Sequence, residues 1–554
     1  MSEEQHSLSV NRGTQIRTVL PAPQFPNADA AVRAQMEERP EGAVDLLLVN
    51  PPAPDRAIWI RSQHRVGRRS REGQIWPQVD LAQMAALFPD KRVEVVDAVA
   101  LLLTWAAFET LVREKRPRYY VTQVTAPTLQ NDMYGVFLAR SLGARTIAFG
   151  THVTPIPRET MRPYPALDFI LLGEPELTLR ELVDALECAR LGTAWEQWTA
   201  MSGDDAARLE RLFRTTDPEW VPLAQRPGGV MLAGIKGLVW RKGEEIALNP
   251  ARPFIHSLDD LPLPRHDLLP FRSYHAPLVG GPYTFVVSSR GCPAQCRFCI
   301  KHVSYGRSVR FRSPENVLEE IEQLTALGIR RIHMYADLFT INREHVMGIS
   351  QGLIERGVKI RWTCNSRVDF VDPGLLQTMA RSGCWMISWG IESGDEAMLQ
   401  RMSKGITKEH VRQALGWARE AGILNWGYFI IGLPGETEES IRKTIDFAKS
   451  LPLDLVLFHI AAPHPGTPFF FEVVENGWFR PGTRWEEVDM DRSTVLDYPG
   501  LRAEDLERWA QRAFREWAFR PRPMLTYARM LLTSPSLWRA AIEIGLESLG
   551  WARG

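Results

Sequence analysis

The chain has few cysteines, no excess of charge and no long apolar run. Six cysteines among 554 residues are too few for the disulfide framework of a secreted domain. The 66 basic and 66 acidic residues cancel, so the overall charge does not indicate nucleic acid or an anionic membrane as a partner. No apolar stretch reaches the ~20 residues of a spanning helix, and the polar start is not that of a signal peptide. We expect a cytoplasmic protein with no transmembrane segment and no nucleic-acid partner.

The length predicts several domains, because a single hydrophobic core stops growing well below this size. Hydrophobic residues make up 45% of the chain and charged residues 24%, as in ordinary globular proteins. The pattern divides the chain into a flexible arm, an α/β domain, a connector with a hairpin, a second α/β region and a helical end. Their ranges are 1–42, 43–190, 191–278, 279–480 and 481–554.

The first α/β domain alternates short apolar strands with helices. This alternation predicts a parallel sheet that helices cover on both faces. Ligands of such sheets bind beyond the carboxyl ends of the strands. The sequence places those ends at Asn50, Asp97, Thr125 and Gly150.

The second α/β region holds six strand–helix units that begin at Tyr283. Six units predict a barrel or partial barrel, whose chemistry lies on the loops at the strand carboxyl ends. The helical end is rich in Arg and Trp, and its helices are predicted at 503–517, 524–532 and 536–549. The last of these is amphipathic. We expect it to dock on the barrel, with contact to a membrane surface as the alternative.

Three cysteines follow the first strand of the second region. Cys292, Cys296 and Cys299 lie in Gly-Cys-Pro-Ala-Gln-Cys-Arg-Phe-Cys. Three thiolates at C-x3-C-x2-C leave one iron of a four-iron cluster without a protein ligand, and that iron can bind a further molecule. Structural zinc is the alternative, but it needs four ligands, commonly from two separated pairs. The residues that remain for a fourth ligand are Cys188, Cys364, Cys384 and His302.

The cysteine motif, with the aromatic Phe298 before its third cysteine, resembles that of the radical S-adenosylmethionine superfamily. The resemblance implies a partial (β/α)6 barrel and a [4Fe–4S] cluster. It also implies that S-adenosylmethionine binds the open iron and yields a 5′-deoxyadenosyl radical. By the same resemblance, ends of later strands hold the nucleoside. These residues are Phe298, Asp337, Arg367, Glu392 and Gly432.

The first domain resembles the Rossmann-like cobalamin-binding module that precedes the barrel in one branch of this superfamily. The resemblance rests on Leu48-Val-Asn-Pro-Pro, Phe149-Gly-Thr-His-Val-Thr-Pro and Asp168-Phe-Ile-Leu-Leu-Gly-Glu-Pro-Glu. The usual Asp-x-His-x-x-Gly motif of the lower cobalt ligand is absent, so that ligand stays open. A scaffold that has lost cobalamin is the alternative. The candidate cobalamin contacts are Asn50, Thr125, Gly150, Thr151, His152 and Glu174.

Two groups of basic residues lie close to these candidate sites. The run 58–73, between the first strand and first helix, mixes Trp59 with Arg61, His64, Arg65, Arg68, Arg69 and Arg71. Loops of this length in compact domains are often functional, so contact with the cofactor or with substrate carboxylates competes evenly with a solvated surface. The second group follows the cysteines and comprises Tyr305, Arg307, Arg310 and Arg312.

The order of the modules is similar to that of anaerobic magnesium-protoporphyrin monomethyl ester oxidative cyclases and related enzymes. The leading hypothesis is therefore a radical enzyme that attacks an unactivated carbon of a large apolar or tetrapyrrole substrate, with a flavodoxin- or ferredoxin-like electron donor. The first alternative is cobalamin-dependent radical methyl transfer to carbon. The second is a non-catalytic iron–sulfur and cobalamin sensor, which would have no need of Asp337, Arg367 and Glu392.

Overall fold

The computed structural model describes most of the chain outside its two ends. The described residues are 43–53, 57–62, 65–70, 74–191, 203–225, 232–275, 279–484, 487 and 495–533. The predicted arm 1–42 and the predicted helix 536–549 lie outside them.

The first half of the chain is built on a seven-stranded sheet. Its strand order is β4-β1-β5-β6-β7-β8-β9. The strands of this half are β1 (Leu46–Asn50), β2 (Trp59–Ser62), β3 (Arg65–Arg69), β4 (Val93–Asp97), β5 (Tyr119–Gln123), β6 (Arg145–Phe149), β7 (Phe169–Leu171), β8 (Leu238–Lys242) and β9 (Glu245–Leu248). The helices are α1 (Val79–Ala85), α2 (Trp105–Lys115), α3 (Leu129–Ser141), α4 (Pro157–Met161), α5 (Pro175–Leu191) and α6 (Gly203–Thr216).

Five neighbouring strands of this sheet, β4, β1, β5, β6 and β7 in spatial order, are parallel. Strand β1 is entirely apolar up to Asn50, and all five of its residues are buried. A strand buried on both faces needs such a continuous apolar run, because helices cover both sides of a parallel sheet. The periodicity of the sequence therefore sufficed to predict these strands.

The connector contributes to the same sheet. Its hairpin consists of β8 and β9, which pair antiparallel and are joined by a turn at Gly243 and Glu244. Strand β8 pairs antiparallel with β7, which adds the hairpin to the edge of the first sheet. The hairpin thus completes the N-terminal domain although it belongs to the predicted connector.

A second hairpin, β2–β3, lies within the run 58–73 and was not predicted. Its strands pair antiparallel, with Trp59 opposite Arg69. The hairpin packs on the carboxyl edge of the first sheet. A Cβ at Gly67 would collide with the hydroxyl of Thr125 at that edge.

The second half of the chain contains a six-stranded parallel sheet in the order β10-β13-β14-β15-β16-β17. This order follows the chain, as expected for (β/α)6 topology. The strands are β10 (Tyr283–Val287), β11 (Ser289–Arg290), β12 (Arg310–Phe311), β13 (Arg331–Tyr335), β14 (Arg361–Ser366), β15 (Cys384–Glu392), β16 (Leu424–Ile431) and β17 (Leu455–Ile460). Strands β11 and β12 form a separate two-stranded ribbon.

Helices alternate with the strands of the second sheet and cover one of its faces. They are α7 (Lys301–Tyr305), α8 (Pro314–Ala326), α9 (Arg343–Glu355), α10 (Pro373–Arg381), α11 (Glu396–Arg401), α12 (Lys408–Glu420), α13 (Glu438–Ser450) and α14 (Pro468–Asn476). Alternate strand residues such as Cys364, Ile387 and Trp389 pack into one core with the helix residues Val317 and Leu415. We call the opposite face of the sheet its inner face.

The chain continues into α15 (Ala503–Ala518) and α16 (Pro521–Thr533). Helix α15 packs on β16, β17 and α13, and it buries Leu506 and Trp517. The described part of the chain contains no helix that is long and apolar enough to cross a bilayer.

Candidate functional site

The three predicted cysteine ligands lie on the loop between β11 and α7, at the carboxyl end of β10. Gly291 opens the loop at a φ of +90°, and a Cβ there would collide with the backbone oxygen of Ser308. The amide of Cys299 donates to the carbonyl oxygen of Cys296 over 3.1 Å, so the loop turns tightly at its end. The sequence of the loop thus gathers the three thiols in one place.

The thiols lie near one another in a partly buried pocket. Burial, together with a smaller contribution from the nearby Cys296, raises the pKa of Cys299 to about 12. Burial also raises the pKa of Cys292, with Cys296 again among the contributors. Crowded thiols of this kind ionise readily only when a metal binds them.

The carboxylate of Asp337 holds the start of the cysteine loop. It follows β13 and accepts a hydrogen bond of 2.8 Å from the amide of Gly291. Its other oxygen pairs with the ammonium group of Lys301, which also donates to the hydroxyl of Tyr335 over 2.9 Å. Burial would lower the pKa of Lys301, but the Asp337 carboxylate raises it above its usual value. This lysine therefore stays charged two residues after the last cysteine.

Two more strand ends bring charged side chains to the same place. Arg367, after β14, forms a bidentate pair with Asp369 at 2.9 and 2.8 Å. Glu392, the last residue of β15, pairs with Lys404 at 2.7 Å. Burial lowers the pKa of Lys404, whereas Glu392 and then Cys296 raise it, with a net increase. Both cations interact with the thiol of Cys296.

Gly432 lies at the end of β16 with a φ of +94°. Its amide donates to the Glu436 carboxylate, and its carbonyl oxygen accepts a 2.8 Å hydrogen bond from the hydroxyl of Tyr498. The side chain of Leu506 packs over it at 3.0 Å from the position of a Cβ. The helical end of the chain therefore covers this strand end. Phe298 is partly buried and packs against the main core.

A buried ion-pair cluster joins the cysteine loop to the first domain. Arg290, directly before Gly291, donates to Glu174 over 3.1 Å and to Glu176 over 2.6 Å. Arg310 donates to both oxygens of Glu174 at 2.9 and 2.8 Å. Burial raises the pKa of Glu174, but Arg290 and Arg310 outweigh it and hold this pKa below its usual value. Glu174, a predicted cobalamin contact, is thus engaged with two arginines of the second half.

The unpredicted hairpin engages two further candidate cobalamin contacts. The guanidinium of Arg61 donates to Asn50 Oδ1 over 2.9 Å and pairs with Asp132 at 2.9 Å, with both charged side chains fully buried. Asn50 in turn donates to Asp97 over 2.7 Å. Thr125 lies beneath Gly67. Arg61 therefore acts inside the protein, as an anchor of the hairpin on the sheet.

The other three candidates for cobalamin contact lie together on the loop after β6. Gly150 has a φ of +124°, and a Cβ there would lie 2.6 Å from the backbone oxygen of Val124. Thr151 and His152 follow and are buried. Burial lowers the pKa of His152 to about 3, so its imidazole is neutral at physiological pH. Next to this loop, the amide group of Gln123 is fully buried, and neither its oxygen nor its nitrogen has a hydrogen-bond partner among the described residues.

The sequence profile of the Radical SAM superfamily matches residues 286–448. An uncharacterized methyltransferase of Pyrococcus horikoshii is 30% identical to this chain over 459 residues, which are 82% of this chain and 90% of that protein. The chain belongs to the radical S-adenosylmethionine (SAM) superfamily. The resemblance inferred from the cysteine motif is confirmed, and the protein is an enzyme.

Two further proteins match this chain more distantly. The anaerobic magnesium-protoporphyrin IX monomethyl ester cyclase of Cereibacter sphaeroides is 26% identical, over 76% of this chain and 63% of that protein. The radical SAM methyltransferase TsrM of Kitasatospora setae, solved with cobalamin and a [4Fe–4S] cluster, has the same fold at a TM-score of 0.58. It is 17% identical, and the superposition covers 85% of each chain.

A four-iron radical SAM cluster fits the cysteine loop. The three thiolates would bind three different irons of such a cluster, so they need not converge on one point. Among the described residues, no group of three or more His, Cys, Asp or Glu side chains is arranged around a single ion. Cys364 and Cys384, considered for a zinc site, instead interact with each other in the helix-covered core of the second sheet.

Four residues of this radical SAM protein were missed as site candidates. Lys301 carried a weak signal, since it follows Cys299 by two positions. Arg290 precedes the cysteine motif, but nothing in the sequence pairs it with Glu174. Lys404 and Gln123 lie far along the chain from their neighbours in space, and no motif marks them.

Proposed function

We propose that this radical SAM protein is a cobalamin-dependent methyltransferase that acts on a carbon atom of an organic substrate. The observation that carries the proposal is the buried contact of Arg290 with Glu174 and Glu176. This contact fixes the cysteine loop directly against the carboxyl side of the first sheet, where Rossmann-like domains bind their ligands. A radical generated at the loop would then arise beside a cofactor held by the first domain.

The cysteine loop supplies the first half of the proposed site. When bound, a [4Fe–4S] cluster and S-adenosylmethionine supply a 5′-deoxyadenosyl radical, and cobalamin supplies a carrier for a methyl group. Cys292, Cys296 and Cys299 would hold the cluster. Arg367, oriented by its pair with Asp369, would donate its remaining N–H groups to a carboxylate, and Glu392, beside Lys404, would accept from an amino or hydroxyl group.

The roles of Asp337, Gly432 and Phe298 in nucleoside binding are part of the same proposal. Asp337 would act mainly by holding the amide of Gly291, and thereby the cysteine loop, in place. Both backbone polar groups of Gly432 are engaged, by Glu436 and Tyr498, and Leu506 fills the space beside it, so Gly432 would shape the site from behind.

The first domain supplies the second half of the site. We place the corrin on the β5–β6 side of the carboxyl edge, near Gly150, Thr151 and His152. The unsatisfied amide of Gln123 supports this placement, because a buried side-chain amide normally has partners. Asn50, Thr125 and Glu174 already have partners within the protein, so they would shape the edge of the site from behind.

Methyl transfer has more support than the oxidative cyclisation of the leading sequence hypothesis. The relative that covers 82% of this chain is named a methyltransferase, whereas the cyclase is less similar. A non-catalytic sensor has less support still, because Asp337, Arg367 and Glu392 all lie around the cysteine loop.

The test is anaerobic reconstitution of the full chain with iron, sulfide, cobalamin, reductant and S-adenosylmethionine. We expect release of 5′-deoxyadenosine together with S-adenosylhomocysteine. Formation of 5′-deoxyadenosine alone would favour a cyclase, and the absence of both products would overturn the proposal.

Two cysteine variants form a matched pair for this test. Cys296→Ala removes one cluster ligand, so iron content and both products should be lost. Cys384→Ala removes a buried thiol at the start of β15, in the helix-covered core. It should keep its iron and both products, which separates ligand loss from the general effect of removing a thiol.

A further inference from the structure

Part of the inner face of the second sheet carries a row of side chains with polar atoms. Cys364, Trp389 and Phe429 pack on the helix-covered side. Because strand residues alternate between faces, Asn365, Ser388, Trp426 and Tyr428 lie on the inner face. Asn365 pairs in register with Ser388, and Ser388 with Trp426. With neighbouring strands about 4.8 Å apart, the row spans roughly 10 Å.

An aromatic strip adjoins one end of this row. The ring centroids of Trp426 and Tyr428 are 5.5 Å apart, and those of Tyr428 and His459 are 5.8 Å apart. All three rings are only half-buried. Rings of this kind offer broad flat contact area to another π-system at little cost in conformational entropy.

The N-terminal domain fills the remainder of the inner face. Trp76 packs edge-on against Phe285 of β10, with centroids 4.3 Å apart, and lies 6.1 Å from Tyr335 of β13. Tyr283 donates a 2.6 Å hydrogen bond to the carbonyl oxygen of Ile75. Among the described residues, these contacts of the N-terminal domain are with β10 and β13, whereas the row and the aromatic strip lie on β14 to β17.

Two polar atoms of the row have no hydrogen-bond partner among the described residues, although both atoms are buried. They are the indole nitrogen of Trp426 and the side-chain oxygen of Asn365. Two strand tryptophans on the helix-covered face differ. Trp362 donates to the carbonyl oxygen of Ser382 over 3.1 Å, and Trp389 donates to Asn425 over 2.9 Å. Since buried polar groups are nearly always paired, the two atoms on the inner face point to a ligand.

The row lies on the same face as the charged groups of the proposed catalytic site. Along β15, Ser388 is followed on the inner face by Gly390, and a carboxylate oxygen of Glu392 lies 2.7 Å from the position of a Cβ at Gly390. A Cβ at Gly390 would lie 2.8 Å from the ammonium group of Lys404, which interacts with Cys296. A molecule bound on the row would therefore extend toward the cysteine loop.

We propose that the row Asn365–Ser388–Trp426 binds the substrate, and that the substrate is a flat conjugated ring system. The ring stacks on the Trp426–Tyr428 strip. An acceptor atom of the ring system accepts a hydrogen bond from the indole N–H of Trp426, and a donor group of the ring system donates one to Asn365 Oδ1. The identification of this ligand as the methyl acceptor rests on the function proposed above. The binding of a flat ring to the row does not depend on that function.

The experiment is equilibrium dialysis of the full chain, without reductant or S-adenosylmethionine, against three probes. Lumichrome is a compact flat heterocycle with donors and acceptors, protoporphyrin IX is a flat tetrapyrrole, and cholate is a saturated polycycle of similar apolar character. We expect at least one flat probe to bind ten or more times more tightly than cholate. Which flat probe binds decides between a compact ring and a tetrapyrrole.

Variants of the row locate the bound probe. Trp426→Phe keeps a ring but loses the N–H, and a lost hydrogen bond of about 0.5–1.5 kcal/mol weakens binding roughly 2- to 10-fold. Asn365→Ala should weaken it similarly, which provides a second reading if one variant folds poorly. The control is Trp509→Phe on α15, whose indole donates to Glu438 on the outside of the sheet. It should bind like the parent protein.

Two outcomes would overturn the proposal. One is that cholate binds as tightly as both flat probes. The other is that Trp426→Phe and Asn365→Ala, at unchanged unfolding temperature, leave the affinity of the flat probe unaltered. Either result would leave the formation of S-adenosylhomocysteine untouched, so the substrate class and the proposed reaction fail separately.

Discussion

A single guanidinium nitrogen of Arg310 donates to both carboxylate oxygens of Glu174, at 2.9 and 2.8 Å. Glu174 follows the last parallel strand of the first sheet, and Arg310 begins the strand after the cysteine loop. Both side chains are almost fully buried. A buried ion pair thus joins the two halves of the protein.

Replacing Glu174 by Gln should destabilise the protein strongly. Removal of one partner from a buried ion pair leaves an uncompensated charge and costs about 3–5 kcal/mol. Here Arg290 and Arg310 would both lose a carboxylate. The denaturant midpoint of the full chain measures the effect. The control Glu210→Gln breaks an exposed pair with Arg214 and should leave the midpoint unchanged. Equal midpoints for the two variants would contradict this view of the cluster.

Replacing Lys404 by Gln should weaken binding of S-adenosylmethionine without loss of iron. Glu392 would keep its place on β15 but lose the cation at 2.7 Å that neutralises it. A charged hydrogen bond is worth about 1.5–3 kcal/mol, so affinity should fall tenfold or more. Binding is measured by dialysis with the reconstituted cluster, and iron is measured on the same sample. A variant that loses iron in proportion to affinity would assign Lys404 to the cluster loop instead.

Glu436 should make stability depend on pH. Burial raises the pKa of this carboxyl to about 8, partly offset by the amides of Gly432 and Leu433. A group whose pKa is higher in the folded state stabilises the fold while protonated, and this contribution is lost as pH rises toward and past 8. A tenfold difference in proton affinity between the folded and unfolded states is worth about 1.4 kcal/mol. The free energy of unfolding should therefore fall between pH 5 and pH 9 by the amount that the protonated Glu436 contributes.

The isosteric variant Glu436→Gln tests this assignment. Its amide oxygen still accepts the hydrogen bond from Gly432, but it cannot ionise. Unfolding temperatures measured across the same pH interval should decline less steeply than those of the parent protein. Parallel curves for the two proteins would show that Glu436 titrates near its ordinary pKa.

The pair Arg61–Asp132 should behave as a unit. Arg61→Met alone leaves the Asp132 carboxylate buried without its cation, at a cost of about 3–5 kcal/mol. The double variant with Asp132→Leu should lose clearly less than the sum of the single variants, because neither charge is then left behind. The denaturant midpoints of the parent protein, the two single variants and the double variant give the coupling energy between Arg61 and Asp132. Additive losses would mean that the hairpin is anchored elsewhere.

The sequence was sufficient to predict the strands that are buried on both faces. Strand β1 is a continuous apolar run, and no other backbone conformation buries such a run in an α/β domain so well. The cysteine loop was also predictable from the sequence, because Cys292, Cys296 and Cys299 lie within eight residues of the chain. Local patterns predict local structure and local sites.

The hairpin β2–β3 escaped prediction for the opposite reason. Its strand Trp59–Ser62 contains Arg61, a residue type that is rarely buried unless it is paired. The partner, Asp132, lies far along the chain on α3, and nothing local marks it as such. Lys404 was missed as well, because no local pattern pairs it with Glu392, 12 residues earlier. Roles that depend on a distant partner are set by the tertiary fold.

The antiparallel hairpin β8–β9 has a consequence for how this protein is made. The first sheet lacks its edge until residue 248 has emerged from the ribosome, although its parallel strands end at Leu171. Until then, β7 presents an open edge to other nascent chains. In a fragment that ends near residue 190, the β7 edge would stay unpaired permanently. Dissection of the gene into two independently folding halves should therefore place the cut beyond the hairpin.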